Sequence, residues 1–509
     1  MKLMEEKNYC LNCKNKPCST FGCPLGNNIP DFIKAGDDKT AFEILCKTTV
    51  LPAICGRICP KSRYCQASCI RGIKQDPVEI GELEKYIGDI SIKNNYKIPK
   101  ETNNYIENLQ KENTEKLNLN KNKLNLSIKN KQENLNEKKV AVVGSGPAGL
   151  TCAAFLAMKG IKVTIYEKNK KLGGILQYGI PEFRLEKEIV DETIAKILEL
   201  GIEFKTEKEL GRDFNIDQLT KKYDAVFISI GASKPKEILK GKNILSGNIL
   251  LDNIQKNKEI PELKNKKVIV YGGGNVAMDV SRTIKRLGAD VSIVYRRNIE
   301  QMPAEIMEIR DAQKEEIEII EKTNILEFKN GIAYCVKTRL VENENNIENL
   351  EKDKDKKLIE QKIIKRNNTK VENIEGSKFE IKADYIILAI GTQTDMKLLI
   401  EQGLELDNKG FIKIDKNNRT SIENVYAGGD IIGKEATVAY AARSGREAAN
   451  NIAQILQKNN TSVIWKNILC SIIKISINTL ALKAGEENKN GKHNRNRIKE
   501  KWNKCDMPN

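Results

Sequence analysis

The stretch KVAVVGSGPAGLTCAAFLAMKGIKVTIYEK, residues 139–168, decides the fold of this 509-residue chain. The apolar run after Lys139 predicts a buried parallel strand, residues 148–158 a helix, and residues 163–166 the next strand. Three glycines at G-x-G-x-x-G spacing join the first strand to the helix: Gly144, Gly146 and Gly149. In such a unit the first glycine permits a tight turn, the second lets a pyrophosphate approach the backbone, and the third lets the helix pack on the strand.

Other segments support a flavin nucleotide at this fingerprint. Glu167 follows the second strand, 23 residues after Gly144, where an acidic side chain accepts hydrogen bonds from a ribose hydroxyl pair. Far along the chain an apolar strand ends at Gly429 and Asp430, before a helix expected near Thr437. In flavoproteins with two dinucleotide sites, an Asp so placed binds the ribityl chain, and the helix points its positive end at the flavin. An ordinary strand-to-loop turn is the alternative.

We therefore expect FAD in this first unit, with the glycine-rich segment 173–181 lying against its flat ring. The predicted FAD residues are Gly144, Gly146, Pro147, Ala148, Gly149, Glu167, Gly174, Gly231, Gly429, Asp430 and Thr437.

A second fingerprint, G-x-G-x-x-A, begins at Gly272 and is followed by a helix and a strand over 291–295. Two such units in one chain imply two dinucleotides. An NAD site usually ends this strand with an acidic residue, but Arg296 and Arg297 stand there, and guanidinium groups suit a 2′-phosphate. The sequence predicts NADPH rather than NADH, although a solvated surface pair would also explain the charges. The predicted NADPH residues are Gly272, Gly274, Asn275, Ala277, Arg296 and Arg297.

Nine of the thirteen cysteines lie within the first 69 residues. Eight of them form two spaced groups: Cys10, Cys13, Cys18 and Cys23, then Cys55, Cys59, Cys65 and Cys69. Residues 1–9 carry charges and lack the apolar core of a signal peptide, so we expect a cytoplasmic protein with reduced thiols. There, such spacing favours iron–sulfur clusters, with two zinc sites as the alternative. A cluster beside a flavin conducts electrons, which zinc does not.

The net charge of +17 is concentrated outside the predicted domains. Residues 97–139 and 461–509, both rich in Asn and Lys, together account for about ten of the seventeen positive charges. This distribution argues against a nucleic-acid partner. The one membrane candidate, residues 463–482, is interrupted by Lys and Asn and is not expected to span a bilayer.

The two fingerprints and the cysteine groups together predict an α/β protein with two Rossmann-like dinucleotide-binding domains, for FAD and NADPH, preceded by a helical iron–sulfur domain. The polar linker and the basic tail bury too little apolar surface to fold alone. The expected boundaries are 1–96 for the cysteine-rich domain, 97–137 for a linker, 138–264 with 392–460 for the FAD domain, 265–391 for the NADPH domain, and 461–509 for a tail.

The few remaining reactive side chains limit the chemistry. The only histidine is His493, and Cys335 is the only cysteine between residues 272 and 391. Histidine bases, histidine metal ligands and a dithiol beside the flavin are therefore excluded, and no catalytic side chain is predicted. Electrons from the flavin must leave through the head cysteines.

Taken together, these motifs resemble those of a known family, the small subunit of NADPH-dependent glutamate synthase. The resemblance covers residues 9–92 and 138–455 and extends to the amino-terminal half of dihydropyrimidine dehydrogenase and to the NADPH-binding subunit of bifurcating transhydrogenases. It is carried by the strings CLNCKNKPCSTFGCPLGNNIPDF, LPAICGRICPKSRYCQASCIRG, VEIGELEKYIGD, GSGPAGL, GGILQYGIPEFRL, GGGNVAMD, VYRR, MPAE and AGGD.

The resemblance implies two 4Fe-4S clusters with interleaved ligands. Cys10, Cys13, Cys18 and Cys69 would hold one cluster. Cys23, Cys59, Cys65 and Glu84 would hold the other, and Cys55 would be a non-ligand.

The resemblance also implies a function, in which NADPH passes hydride to FAD and electrons leave through the clusters to a partner. That partner would be a large catalytic subunit that forms L-glutamate from glutamine and 2-oxoglutarate, and an oligomer is expected. The same relay serving ferredoxin, a pyrimidine reductase or sulfur compounds is the nearest alternative. A non-catalytic flavin scaffold is a further one.

Overall fold

A computed structural model describes residues 2–100, 135–236, 238–342 and 369–457. Most of the predicted linker, residues 343–368 of a polar insertion and the whole predicted tail, with its membrane candidate, lie outside the described residues. None of the described helices combines the length and the apolar character needed to cross a bilayer.

The cysteine-rich head is helical, as predicted. Its helices are α1 (Lys2–Tyr9), α2 (Ile29–Lys34), α3 (Asp38–Cys46), α4 (Pro52–Ile58) and α5 (Ile80–Lys93). Loops carrying the cysteines run between them, with a π-helical turn at Cys18–Gly22 and a 3-10 turn at Ile70–Ile73. Gly56 and Gly88 let α4 and α5 pack in backbone contact, because a methyl group at either would lie within 2.3 Å of the other helix.

The first dinucleotide unit contains a five-stranded parallel sheet of order β15-β4-β1-β2-β3. Its strands are β1 (Lys139–Val143), β2 (Lys162–Tyr166), β3 (Glu203–Lys205), β4 (Ala225–Ile228) and β15 (Val425–Ala427). Helices α6 (Pro147–Met158), α7 (Ile175–Tyr178), α8 (Lys187–Leu198), α9 (Ile216–Thr220), α13 (Met396–Glu401) and a helix over 438–457 accompany it.

The second unit contains another five-stranded parallel sheet, of order β6-β13-β7-β8-β9. Its strands are β6 (Ile244–Ser246), β7 (Lys267–Tyr271), β8 (Asp290–Val294), β9 (Glu318–Ile320) and β13 (Tyr385–Leu388). Helices α10 (Gly247–Gln255), α11 (Asn275–Arg286) and α12 (Ile306–Lys314) accompany it, with a 3-10 turn at Ile299–Gln301. An antiparallel sheet of β10 (Thr323–Lys329), β11 (Ile332–Glu342) and β12 (Thr369–Lys382) interrupts the unit. The predicted α/β class with two Rossmann-like units and a helical head is confirmed.

The structure places one boundary differently from the prediction. The second unit was expected to begin at residue 265, but β6 pairs in parallel with β13, and α10 packs on α11. The chain crosses between the units at β5 (Lys234–Pro235) and β14 (Thr392–Gln393), which pair with each other. The second unit therefore already includes residues 244–255. Sequence inspection missed this because β6 has only three residues and no alternating pattern.

The head and the first unit share one apolar core. Phe32 and Leu45 of the head belong to the same buried cluster as Phe155 of α6. Both described ends of the predicted linker join it, because Ile98 and Leu135 are buried there. The head is therefore fixed against the flavin unit by continuous packing.

Replacing Gly149 by Ala should destabilise the first unit. The added methyl group would lie 1.9 Å from the carbonyl oxygen of Gly144, so α6 would have to move away from β1. We expect the free energy of unfolding to fall by about 1–3 kcal/mol, the usual cost of overpacking. Urea titration of cofactor-free protein, followed by circular dichroism, measures it. Gly36→Ala, where no atom lies within 4 Å of the added methyl group, is the matched control. Equal stability of the two variants would contradict this packing.

Candidate cofactor-binding sites

The first fingerprint has an open cradle at its centre. Gly144 has φ +94°, and a methyl group on it would lie 2.5 Å from the carbonyl oxygen of Ser229 on the neighbouring strand. Gly149 meets the Gly144 carbonyl closely, whereas no atom lies within 4 Å of the position a methyl group would take on Gly146. The three glycines thus differ in the way that their predicted roles require: two are closed by packing, and the middle one faces open space.

The amino end of α6 faces that open space. Pro147 is the first helical residue, and Gly146 caps the helix without any side-chain hydrogen bond. Backbone N–H groups at a helix amino end attract anions such as a pyrophosphate. Ala148 is buried beneath the cradle, with its methyl group 3.1 Å from the position a methyl group would take on Gly429. The arrangement fits the phosphates of a dinucleotide.

Glu167 lies at the end of β2, as predicted, and its acceptors are already used. Its Oε2 accepts from the backbone N and the hydroxyl of Ser145, at 3.0 and 2.5 Å. Its Oε1 accepts from the backbone N and the side-chain amide of Asn169, at 2.9 and 2.8 Å. In this state the carboxylate shapes the glycine loop, and a ribose hydroxyl pair would have to replace one of these donors.

The glycine-rich segment lies against the cradle. A methyl group on Gly174, which has φ +53°, would lie 3.0 Å from the Cα of Gly146. The neighbouring Gly173 donates its backbone N–H to the Ser145 hydroxyl at 3.0 Å. Gly231 follows β4 with φ +71° and open space around it. Only glycine combines these conformations with such close approach.

The carboxyl group of Asp430 is placed to bind a ligand rather than another residue. It follows Gly429, whose backbone N–H donates to Ser444 Oγ at 2.7 Å. Burial raises the pKa of the Asp430 carboxyl, yet this carboxyl has no hydrogen-bond or ion-pair partner among the described residues. A desolvated acceptor without a donor is costly unless a ligand supplies one. Thr437 caps the helix over 438–457, because its hydroxyl accepts from the Tyr440 N–H at 3.3 Å.

The second fingerprint repeats the geometry of the first. A methyl group on Gly272 would lie 2.2 Å from the carbonyl oxygen of Ala389, and Ala277 is fully buried. The space before Gly274 is open, since among the described residues a methyl group on it would meet only the Pro303 ring, at 3.9 Å. Asn275 begins α11, and its Oδ1 accepts from the backbone N–H of Glu305 at 2.8 Å. This loop is therefore a second anion cradle.

The two arginines at the end of β8 differ in their surroundings. Arg297 donates to the Thr369 hydroxyl and carbonyl on β12, at 3.3 and 3.0 Å. Arg296 is exposed, and its guanidinium makes no hydrogen bond or ion pair with any residue that the structure describes. Arg296 is thus the side chain available to a 2′-phosphate, and Arg297 is held by the hairpin.

In the head, two neighbouring cavities contain all the predicted cluster ligands. The inner cavity is lined by Cys23, Cys55, Cys59, Cys65 and Glu84, together with Ala439 of the flavin unit. The outer cavity is lined by Cys10, Cys13, Cys18 and Cys69 and by no residue of the flavin unit. Ile29 lines both cavities and separates them. A larger surface depression, between residues 5–9 and 72–79, contains none of the predicted ligands.

The thiols and the carboxyl group that line the inner cavity are buried, and burial raises their pKa values. Burial raises the pKa of the Cys23 thiol to about 11 and the pKa values of the Cys59 and Cys65 thiols well above their usual value. Burial also raises the pKa of Glu84 to about 7, against the hydrogen bond that it accepts from Asn27 at 3.0 Å. Iron would supply the positive charge that buried thiolates and a buried carboxylate require.

The geometry leaves one predicted assignment open. Cys55, expected to be a non-ligand, is only 2% exposed and lines the same cavity as Glu84. Five side chains thus surround a cavity for which the sequence predicted four ligands. Within the described residues, no three Cys, Asp, Glu or His side chains converge as they would around a single metal ion.

Sequence reasoning missed the residues that join the head to both dinucleotide units. Tyr64, between Cys59 and Cys65, donates its hydroxyl to Glu435 of the flavin unit at 2.7 Å. Burial, followed by that carboxylate, raises the pKa of Tyr64. Arg63 donates to the carbonyl oxygen of Ala304 in the second unit at 2.7 Å. Such long-range partners leave no local pattern in the sequence.

A buried ion-pair group also fixes the second unit against the first. Arg184 lies three residues after the glycine-rich segment 173–181. Its guanidinium bonds Asp279 of α11 at 2.8 and 2.9 Å and Glu308 of α12 at 2.8 Å. Glu308 also pairs with Arg282 at 2.6 Å. The Phe183 ring packs under Arg282 and Arg286, at 4.6 and 3.9 Å from their guanidinium carbons. The helix of the second cradle is thereby oriented by the loop beside the first cradle.

Comparison with known families supports this reading. Residues 138–445 match the pyridine nucleotide-disulphide oxidoreductase family. Residues 1–96 match the family described as dihydropyrimidine dehydrogenase domain II, 4Fe-4S cluster. The second match answers the zinc alternative in favour of iron–sulfur clusters.

Individual relatives cover nearly the whole chain. It is 30% identical to the glutamate synthase [NADPH] small chain of Escherichia coli, over 88% of this chain and 90% of that one. It is 30% identical to the NADP(+)-dependent formate dehydrogenase subunit beta of Moorella thermoacetica, over 86% of this chain and 60% of that one. It is 28% identical to PreT, the NAD-dependent dihydropyrimidine dehydrogenase subunit of E. coli, over 89% and 94%.

The fold has solved counterparts. FprA of Mycobacterium tuberculosis superposes with a TM-score of 0.54 at 16% identity, covering 64% of this chain and 86% of that one. The resemblance seen in the sequence and the cofactor prediction of FAD, NADPH and iron–sulfur clusters are confirmed. The chain belongs to the pyridine nucleotide-disulphide oxidoreductase family, as an iron–sulfur flavoprotein of the type that includes the glutamate synthase small chain, PreT and the formate dehydrogenase beta subunit.

Proposed function

We propose that this chain oxidises NADPH and delivers the electrons singly to a partner protein, as the small subunit of a glutamate synthase. The observation that carries the proposal is the inner cavity, whose wall joins head cysteines to Ala439 of the flavin unit. Bound FAD supplies the change from hydride to single electrons, and the clusters supply one-electron conduction. The chain's own residues bind, orient and enclose these groups.

The proposed residue roles follow the geometry. The Gly146 and Gly274 cradles bind the two pyrophosphates, and the carboxylate of Asp430 accepts from the ribityl hydroxyls. Arg184 holds α11 against the glycine-rich segment 173–181, so that the nicotinamide end of NADPH faces the flavin. Glu84, Cys23, Cys59 and Cys65 hold the inner cluster, and Cys10, Cys13, Cys18 and Cys69 hold the outer one. Electrons thus leave through the outer cavity.

The names of the relatives support one acceptor over the others. Two proteins named glutamate synthase small chain, from E. coli and Halomonas elongata, match at 30% identity over 88% of this chain and about nine-tenths of their own length. We infer a glutamate synthase large subunit as the partner, which forms glutamate from glutamine and 2-oxoglutarate. The similarity to the formate dehydrogenase subunit beta and to PreT supports the second candidate, the same relay with another partner.

The acceptor is tested with the protein purified together with its natural partner. NADPH oxidation should depend on glutamine plus 2-oxoglutarate, and for each NADPH oxidised one glutamine and one 2-oxoglutarate should be consumed and two glutamates formed. The protein without partner is the control and should lack this dependence. If NADPH oxidation is independent of both substrates but depends on added ferredoxin or a pyrimidine, the glutamate synthase proposal is wrong and the second candidate is supported.

Glu84→Ala should remove the inner cluster, because the proposed fourth ligand is lost, whereas Cys55→Ala should leave both clusters. Iron content per chain should fall by about half in the first variant and stay unchanged in the second. Cys46→Ala is the matched control, since this buried thiol lines neither cavity. Electron paramagnetic resonance of the dithionite-reduced proteins shows which cluster is lost. Cluster loss in Cys55→Ala, with both clusters kept in Glu84→Ala, would reverse the assignment.

Arg296→Gln should weaken NADPH binding far more than NADH binding. Loss of a hydrogen bond to a charged group costs about 1.5–3 kcal/mol, which is about a 10- to 150-fold rise in Kd. Arg297→Gln is the matched comparison and should discriminate less between the two nucleotides, because Thr369 already engages that guanidinium. Binding is followed by titration of the flavin spectrum with NADP+ and NAD+. Equal losses for both nucleotides in Arg296→Gln would remove the 2′-phosphate role.

A further inference from the structure

Glu305 carries a buried acceptor atom to which no described residue donates a hydrogen bond. Its Oε1 accepts from the hydroxyl of Ser62 in the head. Its Oε2 is buried and has no hydrogen-bond partner among the described residues. A carboxylate can only accept hydrogen bonds when ionised, and an unpaired buried oxygen costs the full desolvation of the group. A bound ligand that donates a hydrogen bond to this oxygen would remove that cost.

The position of Glu305 is beside the second cradle. Its backbone N–H donates to Asn275, the first residue of α11. The preceding Ala304 donates its N–H to the Gly273 carbonyl at 3.1 Å, and Pro303 lies 3.9 Å from the open side of Gly274. The segment 303–305 thus forms a wall of the space where the pyrophosphate of NADPH is proposed to bind.

The surroundings place Glu305 at the nicotinamide end of that space. The adenine end is marked by Arg296, which follows β8. Glu305 lies instead where the second unit meets the head: Ser62 bonds its carboxylate, and Arg63 bonds the adjacent carbonyl of Ala304. The next residue, Tyr64, bonds Glu435 of the flavin unit. The side of the cradle that holds Glu305 is thus the side next to the head loop that bonds the flavin unit, and we infer that the nicotinamide end of the nucleotide lies there.

We propose that Glu305 binds the nicotinamide half of NADPH through Oε2 and that Ser62 of the iron–sulfur head orients it. The donor is a hydroxyl of the nicotinamide ribose or the amide of the nicotinamide ring. Both are neutral donors, which a carboxylate accepts strongly. The NADPH site is then completed by the head, through the loop between Cys59 and Cys65. This inference rests on the proposed NADPH site.

The test compares three nucleotides on the full-length holoprotein. NADP+ has both halves, 2′-phospho-ADP-ribose lacks only the nicotinamide ring, and 2′,5′-ADP lacks the entire nicotinamide half. Glu305→Ala should raise the Kd of NADP+ by about 10- to 100-fold and leave the Kd of 2′,5′-ADP unchanged. Ser62→Ala should show the same split with a smaller rise, because it only frees the carboxylate to rotate.

The third nucleotide identifies the donor. If 2′-phospho-ADP-ribose loses affinity with NADP+, the ribose hydroxyl is the donor, and if only NADP+ is affected, the ring amide is. Glu300→Ala is the matched control, since Glu300 is an exposed carboxylate in the preceding turn Ile299–Gln301. The nucleotide affinities of this variant should equal those of the parent protein.

Two outcomes would overturn the inference. An unchanged Kd for NADP+ in Glu305→Ala, with normal binding by the parent protein, would show that Oε2 meets no part of the nucleotide. An equal loss for 2′,5′-ADP would show that the variant only distorts the cradle. Failure of the parent protein to bind any of the three nucleotides would instead remove the proposed NADPH site itself.

Discussion

The hydrogen bond from Tyr64 to Glu435 joins the cysteine-rich head to the flavin unit. It lies in a five-residue loop between two cysteines of the inner cavity, and it holds that loop against the segment that follows Asp430. In the same loop, Ser62 and Arg63 bond the second dinucleotide unit. Three consecutive residues of one head loop thus bond both dinucleotide units, and they help to set the position of the head relative to both.

Burial changes the acid–base behaviour of the groups that line the inner cavity. The thiols that line the inner cavity are enclosed by the shared apolar core, and burial raises their pKa values. A protein without iron would keep them neutral beside a carboxyl group whose pKa is also raised. The cavities are separated by Ile29, and only the inner one contacts the flavin unit. In the proposed relay, this order corresponds to electron flow from the flavin unit through the inner to the outer cavity.

Local patterns in the sequence predict the elements that a short stretch determines. The glycine spacing of 144–149 and 272–277 predicts both cradles, because turn, close approach and helix packing all involve neighbouring residues. Contacts between distant residues have no such signal: Ile244 of β6 pairs with Ile386 of β13, 142 residues later, and Glu305 bonds Ser62 across 243 residues. Arg297 looks equivalent to Arg296 in the sequence, and only the fold shows that Thr369 holds it. Cys55 likewise gave no sign that it lines the inner cavity.

The central claim is that NADPH bound to the second unit reduces a flavin held by the first. The most direct measurement is the flavin absorbance of the anaerobic holoprotein during titration with NADPH, before any partner is added. The account predicts that NADPH bleaches the flavin spectrum and that the Arg184→Ala variant, which loses the contact between the units, is bleached more slowly at saturating nucleotide. A flavin spectrum that excess NADPH leaves unchanged would contradict the relay and favour a structural flavin.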